Sequence, residues 1–442
     1  MLVGALVMAW PALYNRYPLL YPDSLSYLGD GKLVAQALFQ REFSDYYGFR
    51  SLIYSVGILP LHWNSPWPVV VFNALLTSYI LWLVVRSLFP ERTSINFLAL
   101  VALLSLLTGL GWLVGWIMPD IFGPLLYLSL YLLVLANESL SPVERGAVVL
   151  IAWWGVTAHS THLLLGGSLC VVLMATLLVQ GRPWRQSLQS TGPAVAVILA
   201  AALAQLGLNG YLYREISLNG NRPPYLLARV YADGPGKWYL QQHCGELRLP
   251  ICAQLEELPD NVDDFLWGDH GWSEATTEQQ VLLRQQELPV VIGTLRSYPR
   301  QELLICARHF WQQLRAYGVY SYDANQYLGE NINNTLPGQG ALYQRSLQSR
   351  GALPEEFFTS VQGWTVTVSL IVAVAWLLFA RRRWTPRRSL MPCCGSPGLP
   401  MISLKSANWI STLSSPGRTA LTASTCGCIS PRQSPGIPSC AG

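Results

Sequence analysis

The stretch PWPVVVFNALLTSYILWLVVRSL, residues 66–88, carries one charged side chain, Arg86, in an otherwise uncharged and mostly apolar run. An α-helix needs roughly 17 to 25 such residues to cross a hydrocarbon core about 30 Å thick, and this stretch is long enough. Comparable blocks recur along the chain, although the first is short for a full crossing. They occupy residues 1–14, 95–114, 121–136, 146–158, 162–179, 193–213 and 364–380. The sequence therefore predicts about eight transmembrane helices.

Composition supports the same fold class. Hydrophobic residues make up 51% of the 442 residues and charged residues 12%, whereas about a quarter of a soluble domain is charged. The formal net charge is only +4, and Lys and Arg are scattered among loops instead of clustering with aromatic side chains. We therefore expect an all-α polytopic membrane protein and no nucleic-acid partner.

Basic residues in short loops indicate the cytoplasmic face, because Lys and Arg are retained there. Eight spans that start from a cytoplasmic N-terminus place all short-loop arginines inside. These are Arg86, Arg92, Arg145, Arg182, Arg185, Arg381, Arg382, Arg383, Arg387 and Arg388. The same alternation places residues 15–65, 118–120, 159–162 and 214–363 outside. We expect an integral protein of a bacterial inner (plasma) membrane, with its site facing the periplasm or the exterior.

The chain divides by composition into four regions. Residues 1–213 are predicted to form a membrane domain with seven spans. Residues 364–384 are predicted to form the last span and the basic residues that end it on the cytoplasmic side. Residues 214–363 contain turn signals and a helix-forming middle, which predicts a small helix-rich extracytoplasmic domain. Residues 385–442 are rich in Ser, Pro, Gly, Thr and Cys without apolar periodicity, so we expect a disordered tail, or the product of a shifted reading frame.

Two segments between the first and second spans are predicted to lie at the membrane surface. Residues 24–40 place Leu25, Leu28 and Leu33 among polar residues, which is typical of an amphipathic helix in the interface plane. Residues 49–61 predict a second interfacial helix or a re-entrant piece.

Two Pro-Asp pairs supply the candidate catalytic acids, Asp23 and Asp120. Asp23 follows the first apolar block and Asp120 lies between the third and fourth, so both fall on the outer face. Carboxylates at a water–lipid boundary suit acid–base work on a substrate whose other half lies in lipid. The alternative is that each aspartate is a helix N-cap.

Other polar residues on the outer face are candidates for binding. His159 and His162 have the i, i+3 spacing that places two side chains on one helical face. A metal site would need a further ligand, so hydrogen-bonded turn histidines and no metal cofactor are favoured. Arg50, Arg222 and Arg229 are candidates for a lipid phosphate, since a guanidinium binds phosphate through two parallel hydrogen bonds; ordinary surface pairing is the alternative.

Cys244 and Cys252 are eight residues apart in the outer region. An oxidising compartment favours a local disulfide between them. Five of the nine cysteines lie in residues 385–442 without the paired spacing of a zinc site.

The first 180 residues or so resemble the GT-C superfamily of integral membrane glycosyltransferases, which includes protein O-mannosyltransferases and aminoarabinose transferases. The resemblance rests on a first span followed by the acidic motif Tyr21-Pro22-Asp23-Ser24, then interfacial segments ending in Phe49-Arg50-Ser51-Leu52-Ile53-Tyr54. It also rests on Asp120 between the third and fourth spans.

The resemblance implies transfer of a sugar, with inversion, from a polyprenyl-phosphate carrier to an acceptor outside: a lipid, glycan or protein. Asp23 would be the general base, Asp120 would assist, and the cations would balance the leaving lipid phosphate. Two alternatives stay open: a transporter or flippase, and a non-catalytic envelope assembly protein on the same scaffold.

Overall fold

Helices make up all the regular secondary structure in the described part of the chain. The computed structural model describes residues 1–383 apart from 45–47, 49, 215, 219, 221, 248–250, 253, 254, 256, 270 and 320. The tail predicted to be disordered, residues 385–442, lies outside the described residues.

The described residues of the first half of the chain form eleven α-helices, joined in places by short 3-10 turns. They are α1 (Leu2–Met8), α2 (Trp10–Asn15), α3 (Pro22–Ala35), α4 (Leu52–Ile58), α5 (Trp67–Leu88), α6 (Thr93–Leu107), α7 (Leu110–Gly115), α8 (Phe122–Val134), α9 (Pro142–Ala158), α10 (Ser160–Val179) and α11 (Trp184–Tyr213). A π-helical turn, Gln36–Gln40, extends α3, and a 3-10 turn, Pro119–Ile121, precedes α8.

The second half, as far as the structure describes it, adds eight more α-helices. They are α12 (Tyr225–Ala232), α13 (Pro235–Leu247), α14 (Val262–Trp267), α15 (Thr277–Ser297), α16 (Pro299–Gln313), α17 (Gln326–Thr335), α18 (Gly340–Gln344) and α19 (Glu355–Arg383). The predicted outer region is therefore helical, as the sequence indicates.

Within the described residues, five helical segments are long and apolar enough to cross a membrane. They are Trp67–Leu88, Pro90–Leu107, Ser160–Val179, Trp184–Tyr213 and Glu355–Phe379. The blocks at 121–136 and 146–158 form the shorter helices α8 and α9. The chain is thus an all-α protein with membrane-spanning helices.

Two predicted spans are interrupted. The block at residues 1–14 breaks at Ala9 into α1 and α2. Pro11 in the first turn of α2 has no N–H to continue the hydrogen bonding of α1, which accounts for the break. The block at residues 95–114 breaks at Thr108, whose backbone is extended and whose N–H and hydroxyl both donate to the Leu104 carbonyl.

Local signals explain where several helices begin. Ser141 Oγ accepts from the Glu144 N–H at 3.3 Å while Glu144 Oε2 accepts from the Ser141 N–H at 2.8 Å, a capping box that starts α9. Thr276 and Gln279 make the same reciprocal pair at the start of α15. Proline occupies the first turn of α3 and α5, where no N–H partner is needed.

The helix α3 is packed inside the protein instead of lying free in the interface plane. Leu25 and Leu28 are buried in the main apolar core with residues of α5, α8 and α9. The helix α4 crosses α3 closely, since a Cβ added at Gly31 would lie 2.4 Å from the Ser55 carbonyl oxygen. The expected interfacial face is therefore a protein contact.

The region after α11 has an apolar core of its own. Leu227, Tyr231, Leu240, Phe265 and Val290, from α12 to α15, are buried in it. The disulfide that the sequence predicts joins Cys244 to Cys252 beside this core.

A later segment returns to the first helices. The Gln348 side chain donates to the Leu20 carbonyl at 2.6 Å and accepts from the Leu20 N–H at 3.0 Å, while the Gln348 N–H donates to Asn15 Oδ1 at 2.7 Å. Gln348 and Asn15 are fully buried. These bonds fix the segment that leads into Asp23.

Candidate active site

Asp23 and Arg50 form the central ion pair. Asp23 is the second residue of α3, and Arg50 immediately precedes the Ser51 N-cap of α4. Arg50 Nη2 donates to Asp23 Oδ1 at 2.6 Å, and both side chains are about four-fifths buried, 20% and 19% exposed. Burial raises the pKa of the Asp23 carboxyl above its ordinary value, although the Arg50 cation opposes the rise.

Neither candidate aspartate caps a helix. At the start of α3, it is Ser24 Oγ that accepts from the Tyr21 N–H, at 2.9 Å, while the Asp23 carboxylate faces Arg50. Asp120 lies in the 3-10 turn before α8, which has no side-chain cap. The N-cap alternative therefore does not describe either residue.

Asp120 is half-buried near the central pair. Its Oδ2 atom is inaccessible and has no hydrogen-bond partner. Burial raises the pKa of this carboxyl; His162 opposes the rise, and the Asp23 carboxylate adds to it. Asp120 thus lies within electrostatic range of Asp23 and Arg50.

A cavity of about 410 Å³ adjoins the pair. The N-terminus of α10 and the C-terminal turns of α11 both line it, so it lies at the same end of two long apolar helices. The residues that line it are Tyr27, Arg50, Ser51, Leu52, Ile53, His159, Ser160, Thr161, Gln205, Leu208, Asn209, Tyr213, Leu218, Arg222 and Tyr225. Asp23 and Asp120 are not among these lining residues. Asp23 lies next to the cavity, because its carboxylate is hydrogen-bonded to Arg50, which lines it.

The cavity wall offers several positive groups. His159 caps α10, its Nδ1 accepting from the Thr161 N–H at 3.3 Å. Burial and the nearby Arg50 cation lower the pKa of His159, which favours the neutral ring at neutral pH. The partial positive charge of the α10 N-terminus and the two arginines together suit an anion.

Arg222 connects the cavity to the region after α11. Arg222 Nη1 donates to Glu287 Oε1 at 3.1 Å, and Arg222 Nη2 makes a second, shorter bond to Glu287 Oε2. Glu287 also accepts from the Leu226 N–H at 2.8 Å and is buried. The guanidinium is thus oriented by α15 and presented at the cavity wall.

Two predicted binding residues lie elsewhere. His162 is buried beneath the cavity, with Nδ1 2.7 Å from the Gly155 carbonyl oxygen. Arg229 is 55% exposed on α12, 3.8 Å from Asp233, and does not line the cavity. Within the described residues, no group of three His, Cys, Asp or Glu side chains is placed to hold a metal ion.

Sequence reasoning missed several polar residues of the cavity. Tyr27 and Tyr225 line it, and Tyr225 hydrogen-bonds to Arg50. Gln205 and Asn209 lie one turn apart in the otherwise apolar block at residues 193–213. Two side-chain amides at i, i+4 in an apolar block could have predicted a cavity here. Burying a polar side chain in lipid costs free energy, so such residues within a span usually face other protein groups or a cavity.

Comparison with known proteins finds no matching protein family, no similar curated protein and no similar solved structure.

Proposed function

We propose that the chain is an inverting membrane glycosyltransferase that moves a sugar from a polyprenyl-phosphate donor to an acceptor on the outer face of a membrane. The observation that carries the proposal is the buried Asp23–Arg50 pair beside an arginine-lined cavity at the ends of two long apolar helices. A donor with a lipid tail and a charged head requires a site at this kind of boundary.

The donor phosphate is assigned to Arg50, Arg222 and the N-terminus of α10. All three line one cavity, and each provides N–H donors to an anion. Leu208 and Leu218 line the same cavity and suit the start of a polyprenyl chain. Arg229 has no place in this assignment because it is exposed on α12.

Asp23 is assigned the role of general base. It takes the proton from the acceptor hydroxyl as that oxygen bonds to the anomeric carbon, and the bond from this carbon to the phosphate oxygen breaks with its electrons going to the phosphate. A carboxyl whose pKa is raised by burial is a stronger base than an exposed one. Arg50 then stabilises the phosphate dianion, and Asp120 supports the orientation of the acceptor.

The proposed setting is the outer side of a bacterial inner membrane, with eight spans and residues 214–363 outside. In this scheme the interrupted pair α1 with α2 and the short helices α8 and α9 add three spans to the five long helical segments, which completes the eight. The proposed reaction needs no cofactor, since the donor sugar is already activated by its phosphate ester.

One observation favours the alternative of a non-catalytic envelope assembly protein. Arg50 and Arg222 each pair with a carboxylate of the protein, Asp23 and Glu287, so the site is held together by internal ion pairs. Binding of a lipid-phosphate sugar without turnover would support that alternative.

The test is the substitution Asp23→Asn. The amide keeps the size of the carboxylate but accepts no proton at neutral pH, so we expect sugar transfer to fall roughly 100-fold or more with donor binding retained. Transfer is measured in membranes with a panel of polyprenyl-phosphate sugars, alongside thermal stability. Asp264→Asn is the matched control, because Asp264 occupies the exposed first turn of α14.

Full transfer by Asp23→Asn would remove Asp23 as the base. Loss of cation-coupled transport in the same variant, with no transferase activity in the unmodified protein, would favour a transporter. Arg50→Gln and Arg222→Gln are expected to weaken donor binding more than they slow the chemical step.

A further inference from the structure

The helix α16, Pro299–Gln313, turns its apolar face away from the protein. Four large apolar side chains of α16, together with Leu314 just after its end, lie on one side of the helix. Counted from Leu303, they have the spacing i, i+1, i+7, i+8 and i+11, which places them on one helical face. They range from 52% exposed at Leu314 to 70% at Leu303. The members of this apolar face are Leu303, Leu304, Phe310, Trp311 and Leu314.

The opposite face of α16 contacts the protein through polar groups. Glu302 is the buried residue of the helix, and His309 Nε2 lies 3.4 Å from Asp233 Oδ1. An amphipathic helix in a soluble domain packs the other way, with its apolar face on the core. The described part of this chain therefore leaves the apolar face of α16 uncovered.

The charges around the apolar face are basic. Arg300, Arg308 and Arg315 are exposed, whereas Glu302, the single acidic residue of α16, is buried. The Arg315 guanidinium carbon lies 4.6 Å from the centre of the Trp311 ring at the edge of the face. An exposed apolar face bordered by arginines is typical of helices that lie on anionic lipid.

The chain leaving α16 joins a membrane-spanning helix. Tyr317 Oη lies 3.2 Å from Thr367 Oγ1 of α19, and the Val319 N–H donates to Thr359 Oγ1 at 3.0 Å. Tyr317 is the third residue after Leu314, so the chain between them can span about 10 Å. The exposed Trp364 lies between these contacts on α19, where an aromatic residue marks a membrane boundary.

We propose that α16 lies in the outer lipid–water interface, with its apolar face in the acyl boundary and its arginines on anionic headgroups. The lipid bilayer is thus the occupant of this face. This contact holds the region after α11 against the membrane, and it does not depend on the proposed glycosyl transfer.

The test measures the surroundings of single spin labels in the full chain, reconstituted in vesicles that contain anionic lipid. Every cysteine outside the Cys244–Cys252 disulfide is replaced by alanine. Ala307→Cys and Leu303→Cys place the label on the apolar face, and Gln312→Cys is the matched control on the polar face. Collision rates are measured with oxygen, which partitions into lipid, and with a water-soluble nickel chelate.

We expect the ratio of oxygen to nickel accessibility to be several-fold higher at positions 303 and 307 than at 312. Equal ratios would show that the face is solvated and would overturn the proposal. Spin–spin broadening at 303 and 307 that disappears on dilution with unlabelled protein would assign the face to a second copy and would also overturn it. Intact disulfide and unchanged thermal unfolding confirm that each variant is folded.

Discussion

Asp30 is a buried carboxyl that the proposed reaction does not use. It lies two turns after Asp23 on α3, is 8% exposed, and hydrogen-bonds to the backbone of Gly48. The Tyr213 hydroxyl also donates to the Gly48 carbonyl, at 2.6 Å. Asp23 and Asp30, both on α3, thus bond to Arg50 and to Gly48, which lies two residues before Arg50 in the chain.

We predict that Asp30→Asn raises thermal stability near neutral pH. Burial raises the pKa of Asp30 from 3.8 to about 6. The native state therefore binds this proton more tightly than the unfolded state, and stability falls as pH rises from about 4 to about 6. A shift of two units corresponds to about 3 kcal/mol at most, reduced by the amide hydrogens that Asn buries.

Thermal unfolding of both proteins at about pH 5 and about pH 7.5 checks the prediction. The advantage of Asp30→Asn should be largest at the higher pH and shrink at the lower one, where the native carboxyl is protonated. Equal destabilisation at both pH values would mean that the carboxylate itself is needed to hold Gly48.

At the scale of helices, the contact between α3 and α4 sets the distance between Asp23 and Arg50. Gly31 lies against the Ser55 carbonyl, with 2.4 Å from an added Cβ to the oxygen and 2.9 Å to the carbon. Both atoms belong to the backbone, so a side chain at this position must push the helices apart. Since Arg50 immediately precedes the N-cap of α4, this would also displace Arg50 from Asp23.

We predict that Gly31→Ala destabilises the protein by about 1–3 kcal/mol, the range for overpacking, and impairs donor binding. Gly146→Ala is the matched control: Gly146 is also inside a helix, α9, but has no atom within 4 Å of an added Cβ. There the lower backbone entropy of Ala should stabilise by about 0.5–1 kcal/mol. Thermal unfolding in the same detergent measures the stability of both variants. Unchanged stability of Gly31→Ala would show that α3 and α4 can move apart without cost.

At the scale of the whole molecule, orientation in the membrane decides whether the cavity faces outward. We predict that Gln186 and Gln285, exposed at the start of α11 and in α15, lie on opposite sides. The physical reason is the retention of Arg182 and Arg185 on the cytoplasmic side. An impermeant thiol reagent should label Gln285→Cys in intact cells and Gln186→Cys only after permeabilisation.

Both labelling variants carry alanine in place of every cysteine outside the Cys244–Cys252 disulfide, because free thiols such as that of Cys306, which is exposed in α16, would react themselves. Equal labelling of the two positions in intact cells would contradict the eight-span orientation. It would also move the cavity to the other face and remove the basis for an extracytoplasmic acceptor.

Part of the site could be predicted from the sequence, and the reason differs from residue to residue. Asp23 and Arg50 stood out because charged residues next to apolar blocks are few. Their pairing could not be predicted, since it depends on how α3 and α4 cross. His162 and Arg229 have residue types that suit phosphate, but the structure places His162 in the interior and Arg229 on the exposed side of α12, outside the cavity lining.

By itself, the sequence determined the fold class, the positions of the long apolar helices and the Cys244–Cys252 disulfide. These follow from local composition and spacing, because a helix in lipid satisfies its own backbone hydrogen bonds and a short loop brings two cysteines together. Only the tertiary structure decided that α3 is packed inside the protein, that Gln205 and Asn209 line the cavity, and that α16 turns its apolar face outward. Each of these depends on which surface meets which neighbour, and that is set by packing between residues far apart in the chain.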